Sequence, residues 1–115
     1  MNDNTSARNI YLSTALLPPA GAVELGLVRG LCCLSRNFVA DIGASLRNTT
    51  IGGELTGYTD LMAESLDMAL DRMREQAASM GADGVYAIQI ATPQVSAGAA
   101  EIIALGTAYR LHTPK

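Results

Sequence analysis

One segment limits the folds open to this chain more than any other. Met62, Leu66, Ala69, Leu70, Met73, Ala77 and Met80 recur at steps of three and four. That spacing lines one face of an α-helix. Thr56 or Thr59 can cap its start, and Gly81 can end it in the left-handed conformation. The spacing predicts a helix over 58–80, about 35 Å long at 1.5 Å per residue. No other apolar segment combines that length with that period.

The other apolar segments are strand-like. Val23–Leu34 has β character and two interior glycines, Gly26 and Gly30, which mark a bulge or the close approach of another backbone. Gly84–Ala91 and Ala100–Leu111 read as two further strands, separated by a Pro/Ser/Gly loop over 92–99. Ile10–Leu17 is a peripheral strand or arm ended by Pro18-Pro19. Ser35 can cap a short helix carrying Phe38, Ile42 and Leu46, and a turn-rich connection with Gly52-Gly53 comes after it. The order predicts an α+β fold: a small three-stranded sheet with one long helix packed across it, and an extra N-terminal strand or arm. The length of 115 residues fits one domain over 10–115 behind a flexible tail over 1–9.

Successive strand side chains point to opposite faces. In the first strand Leu25, Leu27, Leu31 and Cys33 oppose Val28, Cys32 and Leu34. In the second, Val85, Ala87 and Ala91 oppose Tyr86, Ile88 and Ile90; in the third, Ile103, Leu105, Tyr109 and Leu111 oppose Ile102, Ala104 and Ala108. Both faces are aliphatic, yet one helix covers only one of them. Leaving several large aliphatics in water forfeits about 1.5–3 kcal/mol each, a sum comparable with the stability of a small domain. A second copy of the chain is the expected cover. The alternative is cover by the N-terminal arm and short helix of the same chain.

Composition excludes several functions. Eight basic residues face eleven acidic ones, for a net charge of −3, which argues against nucleic acid. The sole lysine, Lys115, is the last residue, so neither a phosphate-loop lysine nor an interior Schiff-base lysine exists. The sole histidine, His112, rules out a two-histidine metal motif within one chain. No uncharged run is long and apolar enough to span a bilayer. Two adjacent cysteines suit a reduced cytoplasmic protein better than a disulfide scaffold. The competing reading is a cleaved signal over Ile10–Ala22, which ends in Ala20-Gly21-Ala22 but is broken by Ser13, Thr14 and Pro18-Pro19.

Cys32 and Cys33 form the one soft-metal constellation, since thiolates suit zinc, Cu(I) and similar ions. Strand neighbours face opposite ways, so both reach one ion only if the strand bends, whereas an oligomer can gather one cysteine from each copy. The structural alternative is two small buried hydrophobes. Asp60, Glu64, Asp67, Asp71 and Glu75 share one helix face, flanked by Arg72 and Arg74; they suit a hard cation, a basic partner or plain solvent. Asp83 is either a carboxylate at a subunit junction or turn chemistry before a strand. His112 is a ring-site candidate or an exposed terminal residue, and Tyr58 an interface ring or a core residue. No nucleophile-elbow pattern is present, and no base is placed for a cysteine nucleophile. The chain is therefore not expected to be an enzyme, a cysteine-dependent one being the remaining alternative.

Several of these pieces resemble the YbjQ-like family, labelled heavy-metal-binding. The carriers are Gly26-Leu-Val-Arg-Gly30, Asn37-Phe38, Gly52-Gly53, Tyr58, the run Met80-Gly-Ala-Asp-Gly-Val-Tyr-Ala-Ile-Gln-Ile90, and Gly106-Thr-Ala108. The similarity covers about 22–111. Leu25 stands where some relatives carry cysteine, Glu54 where many carry arginine, and Thr59 where an acid is usual. The resemblance implies a fold akin to dodecin subunits and a homo-oligomeric ring, typically a pentamer. It also implies a soft metal ion or small ligand held at subunit junctions. A purely structural ring without ligand is the alternative.

Overall fold

The computed structural model describes residues 9–35, 56–92 and 99–111. Its elements are β1 (Tyr11–Leu12), β2 (Ala22–Ser35), α1 (Thr56–Ser79), β3 (Gly84–Ala91) and β4 (Ala99–Leu111). The expected tail over 1–9 (Asn9 apart), the short helix after Ser35, the Gly52-Gly53 connection and His112 lie outside the described residues.

Among the described residues the sheet has four strands, in the order β1-β3-β4-β2: the three expected and the N-terminal arm, which joins them as a strand. Backbone bonding by the arm explains the extra strand. β1 runs parallel to β3, and the next residues continue the attachment. Ser13 N–H donates to the Val85 carbonyl at 2.9 Å, Ile88 N–H to Ser13 at 3.1 Å, and Ala87 N–H to Ala15 at 2.8 Å. Ile10, just before β1, is buried in the core. The β3–β4 and β4–β2 pairs are antiparallel, so the sheet is mixed.

α1 forms where the apolar spacing requires it. Ala69, Met73 and Ala77 are fully buried, and Ser65 is buried one turn before Ala69. Met62, Leu66, Leu70 and Met80 pack around them. Gly81 ends the helix at φ 78°, with its N–H donating to the Ala78 carbonyl at 3.0 Å; this is the left-handed stop expected of glycine. On the opposite side Glu64, Asp67, Asp71 and Glu75 are exposed. Arg74 pairs with Asp71 at 2.5 Å, so this stripe is a solvated face.

α1 lies mainly over β2 and β4. It comes closest at Gly30, where a Cβ would overlap the Ala69 carbonyl and lie 2.7 Å from the Met73 nitrogen. The inner face of the sheet supplies Val28, Cys32, Val85, Ile88, Ile102, Ala104 and Ala108 to the core.

Two bulges correct the alternation read from sequence. On β2, Glu24 pairs with Tyr109 and Gly26 with Ala108, which leaves Leu25 unpaired. Gly26 takes φ 129°, and Leu25 packs against the core instead of sharing a face with Leu27 and Leu31. On β3, Tyr86 pairs with Thr107 and Gln89 with Leu105, so Ala87 and Ile88 together oppose Gly106. The extra residue turns Ile88 onto the same face as Val85 and away from Tyr86.

Candidate functional site

Beyond the bulges the strand period of two holds, and it fixes the fate of the paired cysteines. Cys32 is in register with Ile102, faces α1 and is 2 % exposed. Cys33 is in register with Glu101 and is exposed. Both thiols are free. Burial pushes the Cys32 thiol pKa up, and the Arg72 guanidinium offsets this only in part. Cys32 thus behaves as a small core hydrophobe, held away from the thiolate form that binds metals or attacks electrophiles. Cys33 is the thiol that faces outward.

The outer face around it is apolar. Leu27 (68 % exposed), Leu31 and Leu105 are exposed, with Ile103 half-buried between them. Arg29 lies among them, in register with Leu105. Toward the other end the face becomes aromatic and polar. The Tyr86 hydroxyl donates to Glu24 Oε1 at 3.0 Å, and the Tyr86 and Tyr109 rings sit 6.1 Å apart, tilted by 56°. Tyr109 lies across β3 over Gly84, where any Cβ would collide with its hydroxyl. The hydrogen bond to Glu24 raises the Tyr86 pKa, and burial raises that of Tyr109.

Asp83 serves the turn. Its Oδ2 accepts from Leu111 N–H at 2.7 Å, its N–H donates to the Tyr109 carbonyl at 2.8 Å, and its carbonyl accepts from Tyr11 N–H at 3.1 Å. These bonds tie the end of β4 and the start of β1 to the α1–β3 corner. The carboxylate is therefore occupied within its own chain, as the turn reading expects.

The family model described as "Putative heavy-metal-binding" matches residues 13–112. The chain belongs to the YbjQ-like family. Among its relatives, a UPF0145 protein of Halorubrum lacusprofundi is 51 % identical over 87 residues, which is 76 % of this chain and 83 % of the relative. A UPF0145 protein of Vibrio campbellii is 39 % identical over 103 residues, covering 89 % and 98 %. Among solved structures, a protein of unknown function from Pediococcus pentosaceus, of the DUF74 family, superposes with a TM-score of 0.65. It shares 14 % sequence identity over 90 % of this chain and 98 % of its own, so it supports the fold alone.

The metal label of the YbjQ-like family can be tested against the donors present. Among the described residues no group of three or more His, Cys, Asp or Glu side chains could hold a metal ion. A tetrahedral soft-metal site needs four ligands when closed and three when open. The described part of one YbjQ-like chain offers one outward thiol, with Glu101 as its cross-strand neighbour. The described residues of a single copy therefore do not fit a heavy-metal centre. No described helix is long and apolar enough to cross a membrane.

Sequence reasoning missed two features of this face. The Tyr86–Glu24 hydrogen bond joins residues 62 positions apart, and no local pattern signals it. The burial of Tyr109 could have been suspected from Gly84, since a glycine beside an aromatic in a paired strand leaves room for the ring.

Proposed function

We propose that this YbjQ-like chain is a cytoplasmic, homo-oligomeric binding protein whose copies cover one another's outer sheet faces, and that Cys33 from several copies supplies a soft-metal site at their junctions. One observation carries the reading. The only outward thiol among the described residues sits on the same strand and face as the exposed Leu27 and Leu31. Burying those leucines against another copy brings Cys33 of each copy toward the junction. The free state of both thiols suits a reducing compartment. The pentameric ring of the family resemblance is the assembly we favour, and no catalytic step enters the reading.

Native mass spectrometry of the untagged protein, with metal analysis of the same sample, tests it. The expected result is an oligomer that retains zinc or another soft metal in the wild type and in Cys32→Ala but not in Cys33→Ser. An oligomer with no thiol-dependent metal would reduce the protein to a structural ring. A compact single chain at micromolar concentration would remove both.

A further inference from the structure

A second apolar surface lies on the inner side of the sheet. Because α1 sits over β2 and β4, among the described residues its outward flank leaves the β3 side covered only by the arm. The result is an open groove of about 170 Å³ lined by Leu12, Thr14, Leu66, Leu70, Ile88 and Ile90. An apolar cavity of about 150 Å³ lined by similar residues holds a benzene-sized guest, so this one has room for a leucine side chain.

The same chain carries a matching projection. Leu16 and Leu17 are 76 % and 79 % exposed. Neither side chain fills the groove of its own chain. The bonds from Ser13 and Ala15 to Val85, Ala87 and Ile88 hold the backbone along β3, and Pro18-Pro19 stiffens the chain just after the two leucines. We propose that Leu16 and Leu17 of one copy dock into the Leu66–Leu70–Ile90 groove of the next. The contact is heterologous: each copy gives one leucine pair and receives another. A head-to-tail contact of that kind closes into a ring when its rotation permits. The inference rests on the self-association proposed above but not on the metal, and it places a junction apart from Leu27, Leu31 and Cys33.

Native mass spectrometry across a dilution series tests it with two variants at exposed positions. Leu16→Ser/Leu17→Ser removes the projection, and Thr14→Trp fills the groove from its rim. Each is expected to need at least about tenfold more protein for assembly than the wild type, the change that losing one buried leucine produces. Mixing the two variants restores one intact junction, so mixed species are expected in excess over either parent. Assembly that is unchanged in both variants but weakened by Leu27→Ser/Leu31→Ser overturns this junction and leaves the outer-face reading standing. A wild type that stays single overturns both. A small apolar molecule retained by the wild type and lost in Thr14→Trp, with assembly intact, reassigns the groove to a ligand.

Discussion

The side-chain oxygen of Gln76 accepts the backbone N–H of Arg29 at 2.6 Å. One helical turn earlier, Arg72 Nη1 donates to the Leu31 carbonyl at 2.5 Å. β2 is one edge of the sheet among the described strands, and these two helix residues occupy backbone groups that another strand would otherwise pair with. α1 thus shields the edge as well as covering the inner face.

Gln76→Leu should therefore have two effects. Stability should fall by about 0.5–1.5 kcal/mol, the net worth of one hydrogen bond, read from urea unfolding. The freed edge should also speed thioflavin-positive aggregation. A variant with wild-type stability and no added aggregation would show that the edge needs no such guard.

Gly30→Ala should destabilise far more than Gly106→Ala. At Gly30 the new methyl meets helix backbone, the Ala69 carbonyl and the Met73 nitrogen, which can yield only if α1 moves. At Gly106 the nearest atoms belong to the Val85 and Ile88 side chains, at 2.5 and 3.0 Å, and a rotamer change can relieve part of the clash. Overpacking costs about 1–3 kcal/mol where side chains adjust, so Gly106→Ala should fall in that range and Gly30→Ala above it. Thermal unfolding of the two variants side by side decides the order.

Ala87 sits in the β3 bulge at φ 56°. A left-handed residue with a Cβ costs about 1–2 kcal/mol, whereas a glycine costs about 0.5–1 kcal/mol in chain entropy. Ala87→Gly should thus be neutral to stabilising by about 1 kcal/mol, and Ala87→Val clearly destabilising. Equal losses in both variants, measured by denaturant titration, would contradict a left-handed residue at this position.

Alkaline pH should weaken the fold. Tyr86 is raised by its hydrogen bond to Glu24, and by burial and the Glu24 charge. Tyr109 is raised by burial and by the charges of Tyr11 and Asp83. The folded state therefore keeps protons that the unfolded chain releases near pH 10. The associated stability is complete below about pH 10 and is lost as pH rises through the higher folded values. Urea midpoints should hold up to about pH 10, fall above it, and fall less in Tyr86→Phe. Parallel curves for variant and wild type would exclude a contribution from Tyr86.

Much of this architecture was legible in the residues because it comes from local periodicity. The stripe from Met62 to Met80 set the helix and its buried face, Gly81 set its end, and Gly84–Ala91 matched β3 at both boundaries. The opposite facing of Cys32 and Cys33 also needed no more than the pleat of a strand. What local pattern could not supply was anything that depends on a partner strand. Whether Leu25 and Ile88 turn inward is decided by single extra residues in β2 and β3, which exist only relative to β4. The β-formers of the N-terminal arm allowed a strand or a loose arm; that it joins the sheet, parallel to β3, is decided by the bonds of Tyr11, Ser13 and Ala15 to Asp83, Val85, Ala87 and Ile88. The groove beneath Leu12 likewise depends on where α1 settles, and Gly30 decides that by letting two backbones meet. Periodicity is a property of a segment and can be read along it; register, edge protection and cavities are properties of pairs of segments, fixed only when the chain has closed on itself.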